Sequence, residues 1–317
     1  MTAQSDTALK AVVETYLQHL ATAEKPALAD LCYSANTGRT PLDRRVVFTA
    51  SSHDGLLDAL QAYSTRRDDG ETGTAGGQFL CSPAHVPPVP QIAFLFTGQG
   101  SQYRQMGREL YGTQPVFAAT IDRCNEILQP ILGLSLHSLI DDSELLNQTR
   151  FTQPALFSLQ CALYRLWESW GVRPHAVMGH SVGEYAAAWA AGVFDLEQGL
   201  ALVAERARLM QSMSSHGAMV AVLGPEGRVR DVLPRLEGDV EVAAWNGPNH
   251  VVLTGNGESI RQAVEIFEGE GLTCRPLNVS HAFHSSHMDG MLADLAEFAA
   301  ATGISRAHGI LFDLGFS

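Results

Sequence analysis

Five residues set the strictest condition on the fold: Gly179-His180-Ser181-Val182-Gly183 stand between a short apolar stretch, AVMG, and the helix-forming run EYAAAWAAG. A strand that turns into a helix so abruptly leaves no room for side chains beside the turn, hence a glycine on each side of the serine. The turn sets Ser181 at a helix N-terminus, where free N–H groups favour developing negative charge. The pattern G-x-S-x-G in this context is a nucleophile elbow; the plainer reading is a glycine-lined turn with a surface serine. Upstream, IAFLFTG is a continuous apolar run, which suits a strand buried on both faces of a parallel sheet. The two strands predict an α/β body starting near Gln91, with helices from Ala155 to Trp170 and from an Asp195 N-cap to about Met213.

From Gly217 the order changes to strand GAMVAVL, helix 225–236, strand DVEVAAW, the Asn246-Gly247 turn, strand HVVLTG, helix 257–268 and strand LTCRPLNV. This β-α-β-β-α-β order is the split motif of ferredoxin-like folds, and an Asn-Gly pair suits the hairpin in its middle. It predicts a small subdomain at about 217–279 inserted into the larger body. Ahead of the body, residues 1–66 carry helical periodicity, the strand RVVFTAS and a helix at Asp54–Tyr63, a small α/β unit. The glycine-rich RRDDGETGTAGG and proline-rich SPAHVPPVP make 67–90 a linker.

Composition narrows the partners. Asp and Glu number 34 against 21 Lys and Arg, and the net charge of −13 repels phosphate backbones and acidic lipid surfaces. Neither nucleic acid nor a membrane is expected, and an anionic substrate requires a local cation. No apolar leader opens the chain and no 18-residue apolar span occurs. The five scattered cysteines lack a C-x-x-C pair and read as buried thiols in a reducing cytosol, so a cytoplasmic protein is expected.

Three further motifs carry chemistry. In Phe96-Thr97-Gly98-Gln99-Gly100, glycines flank Gln99 and let its backbone approach a ligand, as the second half of an oxyanion hole requires. The segment from Val279 to Asp289 holds His281, His284 and His287, the densest histidine cluster and the natural source of a base for Ser181. Its H-x-x-H-x-x-H spacing also admits a metal site, although apart from Asp289 no cysteine or dedicated carboxylate spacing accompanies it; no metal is expected, and His287 reads as a solvated surface residue. Arg206 lies 25 residues after Ser181, on the helix that begins near Asp195. Its planar fork matches a carboxylate two-for-two, unless it is a solvated helix arginine.

In order, FTGQGSQ, TQPALF, GHSVGEYAAA, ERARLMQ, WNGPNHVVLTG and VSHAFHS resemble the acyltransferase domain of type I modular polyketide synthases, relatives of malonyl-CoA:acyl carrier protein transacylases. LCYSANTGRTPLDRRVVF resembles the linker domain between ketosynthase and acyltransferase. The resemblance implies a hydrolase-like parallel-sheet large subdomain with the ferredoxin-like insertion. It makes Ser181 the nucleophile, His284 its base, Gln99 and Val182 the oxyanion N–H donors, and Arg206 the holder of the extender carboxylate. Gln153, His180 and Asn246 match positions lining the family's site. His281 and Phe283 belong to the malonyl-selective HAFH version, where methylmalonyl-selective relatives carry YASH. Malonyl-CoA is then the substrate, and no cofactor is bound. An acyl carrier protein bearing phosphopantetheine receives the group, among other polyketide synthase domains.

Two alternatives stand beside that reading. A serine thioesterase shares G-x-S-x-G but places an acid between serine and histidine; Asp231 and Asp239 fall there, inside the small subdomain with no evident reason to face the site. An inactive fragment is the other. Only 33 residues follow His284, fewer than in relatives, so the expectation is a C-terminally truncated domain whose histidine lacks an orienting carbonyl.

Overall fold

The computed structural model describes residues 1–21, 26–65, 79–81, 91–214, 216–277, 279 and 281–304. The chain divides into two compact units, Met1–Pro90 and Gln91–Ser317. Most of the stretch expected as linker, and the chain's end, lie outside the described residues.

The first unit runs β1 (Thr2–Ala3), α1 (Asp6–Leu20), α2 (Leu28–Thr37), β2 (Arg44–Phe48), α3 (His53–Ser64) and β3 (Phe79–Cys81). The strands form one antiparallel sheet in the order β1-β2-β3. Leu9 and Val13 of α1 meet Leu56 and Leu60 of α3 over Val46, at the helical spacing of the sequence. Phe79 closes that core against Phe48 and Tyr63. β3 is a correction: it falls inside the expected linker, because a three-residue strand between glycine-rich and proline-rich flanks leaves no periodic signal.

The second unit opens with β4 (Ala93–Phe96) and continues through α4 (Arg108–Thr113), α5 (Pro115–Leu132), α6 (Leu136–Asp141), α7 (Ser143–Leu146) and α8 (Thr149–Ser169). β5 (Ala176–Gly179), α9 (Gly183–Ala190) and α10 (Leu196–Ser212) complete the first part of its body. α8 begins six residues before the sequence places it, since Pro154 inside the helix reads as a boundary. Asp195 caps α10 in a full capping box: its side chain accepts from Gln198 N–H at 2.8 Å, and the Gln198 side chain accepts from Asp195 N–H at 3.0 Å. Phe117, Leu128, Phe157 and Leu200 pack α5, α8 and α10 into one core. Each such side chain contributes about 1.5–3 kcal/mol on burial.

β4 and β5 pair in parallel, with Phe96 opposite Gly179. Burial on both faces does not hold among the described residues: α9 and its neighbours cover one face, while Leu95 is 72% exposed and Met178 67% on the other.

The small subdomain comprises β6 (Gly217–Leu223), α11 (Glu226–Val232), β7 (Val240–Gly247), β8 (His250–Asn256), α12 (Gly257–Gly269) and β9 (Thr273–Pro276). Its sheet order, β7-β8-β6-β9 with all pairs antiparallel, is that of a ferredoxin-like fold. Val220, Val222, Val251 and Leu253 face the subdomain's own helices with Ile260 and Phe267. The alternate residues Met219 and Val252 join the core of the large body. The hairpin is corrected in one respect. Gly247 pairs with His250, so Pro248 and Asn249 form the turn, and Asn246 is the extra residue of a bulge. A 3₁₀ turn (Ser286–Met291) and α13 (Leu292–Ala301) follow. Cys32 is exposed, against the expectation of a buried thiol, whereas Cys124 and Cys161 are buried.

Candidate active site

Because β4 and β5 are parallel neighbours, the loops leaving their carboxyl ends emerge side by side. His180 N–H donates to Phe96 O at 3.0 Å and ties them together. A Cβ at Gly183 would come within 2.3 Å of Phe96 O, and one at Gly179 within 2.1 Å of Glu184 N. These two glycines are therefore what allows the turn to close. Ser181 sits on it at φ 53°, in the left-handed region that non-glycine residues avoid.

His284 Nε2 lies 2.9 Å from Ser181 Oγ, across 103 residues of sequence. His284 also has positive φ, 58°. The histidine cluster diverges from there. His287 Nε2 meets the Asp239 carboxylate, and His281 stacks on Phe283 with ring centroids 5.5 Å apart. His287 is thus paired and largely covered, which corrects the solvated reading; Asp239, expected to face away, reaches the segment that carries the base. Among the described residues no group of three or more His, Cys, Asp or Glu is placed to hold a metal ion.

Ser181 and His284 open onto a cleft of about 200 Å³ between the body and the small subdomain. Gln99, Gln153, His180, Asn246 and Phe283 line it as well. Among the described residues the backbone N–H groups of Gln99 and Val182 donate to no protein acceptor. Asn246 Oδ1 lies 3.1 Å from His180 Nε2, which the bulge in β7 makes possible by turning the asparagine toward the cleft.

Arg206 stands one hydrogen bond behind the wall. It is 3% exposed, donates from Nη1 to Gln153 Oε1 at 2.6 Å, and lies 5.4 Å from the centroid of the Tyr185 ring. Among the described residues no carboxylate pairs with it. A buried guanidinium without a counter-charge is costly, and this disposes of the solvated-arginine reading.

Sequence reasoning missed the apolar lining: Met210 from α10, and Met219, Ala243 and Val252 from the small sheet. Strand alternation could have found Met219 and Val252. Ala243 depends on a second bulge, between Val242 and Ala244, that puts Ala243 and Ala244 on the same cleft face. The thiols of Cys124 and Cys161 are buried away from the cleft, and burial pushes Cys124 up to about 12 and Cys161 well above its ordinary range, against a nucleophilic role.

Residues 93–307 match the acyl transferase domain family, two thirds of the chain. The chain belongs to that family. Residues 1–60 of this acyl transferase protein match a second family, described as CurL-like, PKS C-terminal. Over 305 residues, 94% of the chain, it is 39% identical to the spectinabilin polyketide synthase system protein NorB of Streptomyces orinoci. It spans 14% of that relative and 4% to 7% of the next three curated relatives. Among solved structures, the acyltransferase domain from module 8 of the salinomycin polyketide synthase aligns with a TM-score of 0.80 at 28% identity, covering 94% of this chain and 69% of that one. A type II PKS acyl-carrier protein in complex with its malonyl-transacylase aligns with a TM-score of 0.62 at 31% identity, covering 67% of this chain and 70% of that one. The acyl transferase domain thus has the two-subdomain α/β fold of polyketide synthase acyltransferases. Among its described residues no helix is long and apolar enough to cross a membrane.

Proposed function

We propose that the domain transfers a malonyl unit from malonyl-CoA to the phosphopantetheine thiol of an acyl carrier protein, through an acyl-serine on Ser181. The observation that carries this reading is the pairing of a 2.9 Å Ser181–His284 contact with a buried arginine, one glutamine away, that among the described residues pairs with no carboxylate. The first is machinery for acyl transfer; the second calls for an acyl group with a carboxylate of its own.

With its proton on Nδ1, His284 takes the Ser181 proton at Nε2 as Oγ attacks the thioester carbon. The carbonyl oxygen becomes an oxyanion held by the Gln99 and Val182 N–H groups. As the tetrahedral intermediate collapses, the carbon–sulfur bond breaks and His284 returns the proton to the CoA sulfur. The carrier's thiol then repeats the sequence in reverse and releases Ser181. Arg206 holds the malonyl carboxylate, with Gln153 steering its fork, while His180 and Asn246 brace the turn before the nucleophile. The relative solved with its acyl-carrier protein supports a carrier as the second substrate.

Phe283 is 6% exposed and packs against His281, so it has little freedom to move aside for an added methyl. Phe283→Ser together with His281→Tyr is expected to raise the methylmalonyl to malonyl ratio about tenfold in competition between the two CoA esters. An unchanged ratio rejects this role for the pair.

Intact mass after mixing with malonyl-CoA tests the function directly. The protein is expected to gain one malonyl group that is stable in buffer and discharged by added holo carrier protein. Rapid release of free malonate regardless of carrier would identify a hydrolase instead.

A further inference from the structure

We propose that Asp239, just before β7, and Glu241, its second residue, are positioning residues that hold His284 against Ser181; the proposal rests on the acyl-transfer reading of that pair. The left-handed conformation of His284 costs about 1 kcal/mol or more and persists only where its surroundings impose it. The residues that follow it are tied down twice. Glu241 Oε1 accepts from the Ser286 N–H at 3.0 Å and from the Ser286 hydroxyl at 2.7 Å. The Asp239 carboxylate engages His287 Nε2. Between them, Ser285 Oγ donates to Ala282 O at 2.7 Å and accepts from His287 N–H at 3.3 Å, closing the backbone around His284.

The backbone that carries the two carboxylates is itself anchored. Asp239 N–H donates to Ser259 Oγ at 3.2 Å, and its carbonyl accepts from Asn256 N–H at 3.2 Å. Glu241 is in register with Thr254 of β8. Farther along the same strand, Asn246 meets His180, the residue before Ser181. β7 therefore grips the neighbour of the nucleophile near one end and the neighbours of the base near the other. A hydrogen-bonded strand between the two grips fixes the separation of Oγ and Nε2, and misplacing reacting groups by an ångström costs a rate factor of up to about 10². Neither carboxylate touches the reacting atoms; both act through the backbone of residues 285–287.

The test is the rate at which a fluorophosphonate labels Ser181, a reaction that uses His284 as base but needs neither malonyl-CoA nor carrier. Glu241→Ala and Asp239→Ala are each expected to slow labelling about tenfold. They should also lower kcat for malonyl transfer while leaving KM for malonyl-CoA and the thermal midpoint close to the parent's. Glu241→Gln keeps an acceptor oxygen and is expected within about threefold of the parent. Labelling of the alanine variants at the parental rate, or equal losses in Glu241→Gln and Glu241→Ala, overturns the proposal. Should Glu241→Ala not fold, Ser286→Ala removes one of the two bonds at an exposed position and must still slow labelling about threefold; an unchanged rate there overturns it too. A parent that reacts with the fluorophosphonate but is never acylated by malonyl-CoA defeats the acyl-transfer reading alone.

Discussion

Ser181→Ala is expected to leave no malonyl adduct after exposure to malonyl-CoA, and His284→Ala to slow adduct formation by about 10³-fold, if the proposed acyl transfer holds. The first effect is complete because the elbow presents a single hydroxyl, and the buried thiols of Cys124 and Cys161 are held protonated by desolvation. The second is partial because the oxyanion donors and the bound substrate's orientation survive the loss of the base. A time course of intact mass measures both. An adduct that persists in the serine variant and maps to another residue ends the mechanism. A loss in His287→Ala as deep as that in His284→Ala shows that the wrong histidine has been taken for the base.

Arg206→Ala is expected to lower kcat/KM for malonyl-CoA by about 10²-fold while changing acetyl transfer less than threefold. The asymmetry follows from the chemistry of the two acyl groups, since only malonyl has a carboxylate for the guanidinium. It follows also from burial, because a charge pair formed away from water is worth more than the same pair at the surface. Arg206→Lys is not expected to restore the rate, as an ammonium cannot both reach two carboxylate oxygens and keep the bond to Gln153. Paired rates with malonyl-CoA and acetyl-CoA decide the matter. A uniform fall in both makes Arg206 a structural residue of α10.

The sequence was most readable where a conformation demands a particular residue. Gly179 and Gly183 announce the elbow because a Cβ at either would strike backbone, and Asp195 announces α10 because its carboxylate completes a cap. The order of the small subdomain was legible for a related reason: strand and helix periods differ, and the alternation survives within each element. What escaped was whatever depends on register or on distant chain. An Asn-Gly pair suits a tight turn in isolation, yet the pairing of Gly247 with His250 moves the turn onward and leaves Asn246 as a bulge. His287 read as solvated because nothing local reveals Asp239, 48 residues earlier, as its partner. The apolar run of β4 does not distinguish Leu95, exposed among the described residues, from Phe96, which is buried, because hydrophobicity records what a strand can bury and not what lies against it.

The small sheet keeps its two faces for different purposes. Val220, Val222, Val251 and Leu253 hold the subdomain's own helices, while Met219, Ala243 and Val252 alternate with them toward the cleft. One set of positions therefore holds the subdomain together, while the other both lines the cleft and joins the core of the large body. Exchanging the second set would reshape the cleft without touching the subdomain's own core, but at a cost to the packing against the body. On the acyl-transfer reading proposed above, one sheet would thus tie the shape of the acyl pocket to the packing between the two subdomains.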